Sequence, residues 1–177
     1  MASHHPGPVV ECLRREQANA VQLYLQYKGY HWNVGGPQFH DLHRMFDDHA
    51  KLVLDTIDPL AERQRILGAP APYDLDSLRR SSQLSVDAHR PATGLEMVEH
   101  LLEAHRHILR GLRVGIELTT EVHDPGTADL LTQCLLVHEK LEWFLRELLE
   151  HRVEPFEGPS GNPVVVAYRG PIPPGVA

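Results

Sequence analysis

Apolar residues recur at helical spacing through four long stretches of this 177-residue chain. The first stretch runs from about Val9 to Asn33, with Val10, Leu13, Gln17, Ala20, Val21 and Tyr24 in helical period. Gly35-Gly36-Pro37 then turns the chain. A second helix is predicted from Pro37 to Leu67, with Leu42, Met45, Phe46, Leu52, Val53, Ile57, Leu60 and Leu67 as its apolar positions. Gly68 suits its C-terminal cap, and Ala69-Pro70-Ala71-Pro72 cannot continue it.

A connection holding one short helix, Leu75 to Ser82, leads to Pro91. The third long helix is predicted from Thr93 to Thr120, because Thr93 followed by Glu96 three residues later forms a capping box. Leu95, Val98, Leu101, Leu102, Ile108, Leu109 and Leu112 supply its apolar face. Asp124-Pro125-Gly126 reads as a break, and the fourth helix is predicted from Thr127 to His151. Leu130, Leu131, Cys134, Leu141, Leu145 and Leu148 are expected to face inward there. No strand or internal repeat is apparent. The pattern predicts an all-α four-helix bundle over residues 9–151, with a long crossover between helices 2 and 3. A short extension, 1–8, precedes it, and a Pro/Gly-rich tail, 152–177, follows.

Composition narrows the function. A net charge of −7 opposes simple electrostatic binding to nucleic acid or an anionic membrane. No stretch approaches the roughly 18 continuous apolar residues of a membrane span. Cys12 and Cys134 do not form a disulfide framework, so a cytoplasmic setting is expected. Histidine is frequent, with 13 copies, which directs attention to metal ligation.

His43, Asp47, Asp58 and Glu62 fall within a helical stripe about 100° wide. Yet His43 and Asp58 lie about 22 Å apart along the axis. A metal ion needs its ligands within about 2–2.5 Å. One chain cannot bring all four to one ion. A second copy running antiparallel could, by setting the His43 end of one helix against the Asp58 end of the other. His31, twelve residues before His43, joins the set as a second nitrogen donor. Nitrogen with carboxylate suits Fe(II), Mn(II) or Zn(II). A competing reading makes Asp58 an N-cap and Pro59 a first helical residue, which would break the second helix; an interior proline costs about 3 kcal/mol. Glu121, Asp124 and Asp129 gather negative charge at the turn between helices 3 and 4, although Asp129 also suits a helix N-terminus. His100 and His107 share a polar stripe with Glu96, Glu99 and Glu103, which reads first as a solvated face. His138 reads as a satisfied buried histidine or a supporting group.

Tyr30-His31-Trp32-Asn33-Val34, then Gly36, Phe39, Leu42-His43, Phe46-Asp47, Asp58, Ala61-Glu62-Arg63 and Leu67-Gly68 resemble the Dps family of mini-ferritins. Thr127-Ala128-Asp129-Leu130-Leu131, His138-Glu139-Lys140 and Trp143-Phe144-Leu145 fit as well. The resemblance implies a ferritin-like bundle and a hollow shell of twelve subunits. It implies ferroxidase sites at two-fold interfaces, with His31, His43 and Asp47 from one subunit and Asp58 and Glu62 from its neighbour. Fe(II) would be oxidised by hydrogen peroxide or oxygen, ferric mineral stored inside, and DNA protected from oxidative damage. Glu121, Asp124 and Asp129 would line iron-uptake pores. Trp32, next to His31, would take up a stray oxidising equivalent or pack at the subunit interface. The extra histidines make zinc an expected alternative occupant. Two departures stand out: Pro59 follows Asp58, and the N-terminus lacks a lysine-rich arm. DNA binding is therefore disfavoured, and a nucleoid-associated, DNA-compacting protein with weak ferroxidase activity is the second reading.

Overall fold

Four long helices form because their buried positions keep a 3.6-residue period, and each ends at a residue that stops it. The computed structural model describes residues 7–85 and 91–150. Helix α1 spans Pro8–Asn33, α2 Phe39–Ile66, α3 Leu75–Ser81, α4 Gly94–Glu121 and α5 Pro125–Glu150. No described residue lies in a strand. The tail 152–177 and His4 and His5 fall outside the described residues.

Helices α1 and α2 form one antiparallel pair and α4 and α5 the other; α1 lies against α4 and α2 against α5. The short α3 sits in the crossover and rests on α1. This is the expected four-helix bundle with a long connection between the second and third long helices. Leu13, Leu23, Tyr27, Phe46, Leu60, Leu101, Ile108, Leu112, Leu131, Leu141 and Leu145 fill its interior. Truncating any one of these leucines to alanine costs about 2–5 kcal/mol, transfer and cavity together. Leu148, expected to face inward, is 37% exposed.

The helix ends follow local chemistry. Thr93 Oγ1 accepts from Glu96 N at 3.2 Å, and the Glu96 carboxylate accepts from Thr93 N, so the capping box is present. Gly68, at φ 84°, closes α2: Gly68 N donates to Arg65 O and Ala69 N to Gln64 O. Two boundaries differ from expectation. Pro37 lies in the turn before α2, whose N-cap is Gln38. Asp124-Pro125-Gly126 opens α5 instead of merely breaking the chain. The Asp124 carboxylate accepts from Thr127 N at 3.0 Å, and Pro125 takes the first turn, where no N–H is needed.

The competing reading at Pro59, a break in the second helix, does not hold. Helix α2 runs through Asp58-Pro59 without a break, so Asp58 is not an N-cap. Proline removes the bond to the carbonyl four residues earlier, that of Asp55. Both residues are exposed, which leaves that carbonyl on the water side. Meanwhile Val53, Thr56, Leu60 and Gln64 are buried on the opposite face and hold the helix to the bundle.

Candidate metal centre

His31 lies in the last turn of α1 and His43 in the second turn of α2, joined by the tight turn at Gly35-Gly36. Gly36 has φ 93°, which a side chain would strain. The two imidazoles stack with centroids 3.8 Å apart and an interplanar angle of 23°. His31 Nδ1–H donates to the His43 carbonyl at 2.7 Å, and His43 Nδ1–H donates to the His31 carbonyl at 2.8 Å. A carbonyl only accepts, so both protons must sit on Nδ1. Both Nε2 lone pairs are left for a ligand. Such backbone bonds fix the tautomer and aim of metal-binding histidines.

Asp47 is one turn further along α2. Its Oδ1 lies 2.7 Å from Lys28 Nζ and its Oδ2 lies 2.7 Å from Lys51 Nζ. The hydrogen bonds from Lys28 and then Lys51 hold its carboxyl far below the usual carboxylate range. An ion that takes Asp47 must displace at least one ammonium group. Asp58 and Glu62 face solvent on the same helix. Among the described residues, no group of three or more His, Cys, Asp or Glu side chains of the one chain is arranged to hold a metal ion. Within the one chain His31 and His43 are brought together, whereas Asp58 and Glu62 lie further along α2.

The same surface carries apolar groups. Leu54 falls on the helical stripe between Asp47 and Asp58 and is 46% exposed. Trp32, Phe39, Ile66 and Leu75 are also exposed. Lys28 Nζ stands 6.0 Å from the Trp32 ring, in cation–π range.

The acidic turn is less uniform than its sequence suggests. Asp124 accepts from Arg63 Nη2 at 2.7 Å and from Thr127 Oγ1 at 2.6 Å. Burial opposes its charge, but the Thr127 bonds and the Arg63 charge outweigh that and lower its carboxyl pKa. Glu121 and Asp129 are exposed, and Asp129 Oδ2 accepts from Gln133. The α4 stripe is not simply solvated either, since His100 Nδ1 meets Tyr30 Oη at 3.1 Å. His40 is exposed beside Asp41.

One polar cluster went unrecognised in the sequence. Tyr27 from α1, His49 from α2, His105 from α4 and His138 from α5 meet inside the bundle. Tyr27 Oη lies 3.2 Å from His49 Nδ1 and 2.7 Å from His105 Nε2. His105 Nδ1 lies 2.9 Å from His138 Nδ1. Burial pushes His49 and His138 down to about 4 and His105 well below its ordinary value, so all three are neutral at pH 7. The signal was available: His49 follows Phe46 by three, and His105 follows Leu101 by four and precedes Ile108 by three, all core spacings. In di-iron carboxylate proteins of the ferritin-like class, glutamates project into this interior. The cluster of Tyr27, His49, His105 and His138 includes no carboxylate; the buried carboxylate of Glu16 on α1 instead accepts from Arg15 Nε at 2.7 Å and Asn19 Nδ2 at 3.2 Å.

The bundle and its crossover define a ferritin-like protein, and a family model described as the ferritin-like domain matches residues 10–152. A low temperature-induced protein of Nostoc sp. is 32% identical over 165 residues, covering 93% of this chain and 90% of that protein. The DNA protection during starvation protein of Brevibacillus brevis is 34% identical over 143 residues, covering 80% of this chain and 95% of that one. The X-ray structure of Dps from Thermosynechococcus elongatus superposes with a TM-score of 0.77 at 38% identity, covering 80% of this chain and 89% of that one. The chain belongs to the Dps family of ferritin-like proteins. No described helix is long and apolar enough to cross a membrane.

Proposed function

We propose that this protein stores and detoxifies iron, oxidising Fe(II) at sites shared between two copies of the chain. The observation that carries the reading is the reciprocal His31–His43 clamp, which leaves two Nε2 donors beside Asp47. Asp58 and Glu62 lie too far along α2 to reach those donors in the same chain. They reach them if a second α2 runs antiparallel. Exposed Leu54, Trp32 and Phe39 around the stripe support such an interface, since exposed apolar groups rimmed by polar ones mark association surfaces.

Fe(II) is the substrate. The imidazoles fix its position, and carboxylates from the neighbour add the negative charge that favours Fe(III) over Fe(II). Two Fe(II) held together give hydrogen peroxide two electrons, cleaving the O–O bond to hydroxide without releasing hydroxyl radical. Oxygen is the slower alternative oxidant, and zinc, which has no redox chemistry, would occupy and block the same donors. A closed shell of twelve subunits would hold the ferric product. Glu121 and Asp129 would draw cations to the α4–α5 turns, with Asp124 serving chiefly to anchor that turn to Arg63. With a net charge of −7, protection of DNA follows from removing Fe(II) and peroxide, in the cytoplasm, and not from coating the duplex.

The test mixes the protein anaerobically with Fe(II), adds hydrogen peroxide and follows ferric absorbance beside an Asp58→Ala/Glu62→Ala double variant. Fast oxidation by the wild type, lost in a variant that still assembles, supports the shared site. Equal, slow oxidation in both overturns it.

A further inference from the structure

Arginine collects in one groove of this acidic chain. Arg106, Arg110 and Arg113 stand at positions i, i+4 and i+7 of α4, so they share one helical face. That face meets the side of α5 that carries Glu139, Glu142, Trp143 and Arg146. Leu109, buried between the arginines, forms the floor. The groove holds about 480 Å³, within the roughly 300–1,000 Å³ of small-ligand sites. Four arginines face two glutamates there, although the whole chain carries a net charge of −7.

The two ends of the groove differ. At one end Glu142, whose side chain is 13% exposed, accepts from Arg146 Nη1 at 3.0 Å and from Arg106 Nε at 3.4 Å. One carboxylate thus orients two guanidinium groups from different helices. Trp143 is fixed beside them: its Nε1 donates to Glu147 Oε1 at 3.0 Å, and its ring rests against Phe144 with centroids 4.9 Å apart. Trp143 is nonetheless 47% exposed. At the other end the Arg110 and Arg113 side chains are 60% and 55% exposed, paired with Glu103 at 3.3 Å and Glu139 at 2.8 Å. Exposed pairs of this kind contribute little, so both guanidinium groups can turn to a stronger acceptor.

A guanidinium fork matches phosphate oxygens two at a time, and such bonds are about twice as strong as neutral ones. An exposed, fixed indole stacks a nucleobase. The groove offers both along about 10 Å of α4 from Arg106 to Arg113. An acidic peptide would use the arginines and leave the indole without a stacking partner. Duplex DNA fits less well, because the arginines occupy one short groove in a chain that is net negative around it. We propose that the α4–α5 groove binds a nucleoside polyphosphate, with the base on Trp143 and the phosphate chain running past Arg106 to Arg110 and Arg113. Arg146 neutralises Glu142 and keeps that carboxylate from repelling the ligand. This binding does not rest on the ferroxidase reading.

Titration calorimetry on the assembled, full-length, metal-free protein tests this with adenosine triphosphate, inorganic triphosphate and adenosine. Adenosine triphosphate should bind more tightly than either of the other two. The Arg110→Gln/Arg113→Gln double variant should weaken it at least about tenfold. Assembly should be unchanged in that variant, since both side chains are exposed. Trp143→Leu should weaken adenosine triphosphate at least about fivefold and leave inorganic triphosphate unchanged. Should Trp143→Leu fail to assemble, the three probes on wild type and on the arginine variant decide alone. The proposal is overturned if adenosine triphosphate does not bind, if inorganic triphosphate binds as tightly, or if the arginine variant binds adenosine triphosphate like wild type. A short DNA duplex serves as the competing polyanion. A duplex retained by wild type and released by the arginine variant, with adenosine triphosphate unbound, would reassign the groove to DNA and overturn the proposal.

Discussion

Lys28 Nζ lies 2.7 Å from Asp47 Oδ1, reaching from α1 across to the helix that carries the proposed ligands. The contact places an ammonium group where a metal ion would compete for the same carboxylate. Removing it should therefore strengthen metal binding, contrary to the usual effect of mutating beside a site. Lys28→Met keeps the aliphatic stem and removes the charge. The pair is partly exposed, so its worth is about 0.2–1 kcal/mol, which corresponds to a rise of up to about fivefold in affinity. Titration calorimetry with Zn(II), which is redox-inert, reads this directly. Unchanged or weaker binding would mean that Asp47 is not a ligand.

Acid should loosen the bundle from its interior. His138 is neutral in the fold, with its pKa pushed to about 4 by burial, and burial holds His105 well below its ordinary value. In the unfolded chain each takes up a proton near 6.5. Below that value the unfolded state binds protons that the folded state refuses, so stability falls as pH drops from about 6.5 to about 4. The contribution is fully present above 6.5. A loss on the order of a few kcal/mol is expected across that window. Urea unfolding at constant protein concentration, repeated from pH 7 to pH 4, should show the midpoint falling through it. A flat profile would mean that the interior histidines ionise in place.

Much of the fold was legible because local chemistry and long-range packing agreed. Thr93 and Glu96 announced the start of α4, Gly68 the end of α2, and the apolar periods the bundle. The reading left two options open where one residue carried two meanings. Pro59 suggested a helix break, but burial of Val53, Thr56, Leu60 and Gln64 on the far face outweighs one lost exposed hydrogen bond. Asp124 looked like part of a cation funnel, yet its bonds to Thr127 and Arg63 come from residues in two helices, which only the fold brings together. The candidate ligands were legible from spacing, but not the reciprocal bonds that fix the His31 and His43 tautomers. His49 and His105 were overlooked because a histidine at a core position declares its role only through partners on other helices.

His123 occupies the place after α4 that Gly68 occupies after α2. Its φ is 58°, in the left-handed region. The same capping bonds surround it: His123 N donates to Thr120 O at 3.1 Å and Asp124 N to Thr119 O at 2.8 Å. A side chain in that conformation costs about 1–2 kcal/mol, which glycine avoids. Glycine in turn loses more backbone entropy on folding, by about 0.5–1 kcal/mol. His123 is exposed, so its removal breaks no buried contact. The balance predicts that His123→Gly stabilises the protein by about 0.5–1 kcal/mol, seen as a rise of roughly 1–4 °C in melting temperature. Fe(II) oxidation should be unchanged, because the proposed ligands lie on other helices. A fall in melting temperature would show that the His123 side chain forms a contact on assembly, and would move the α4–α5 turn into a subunit interface.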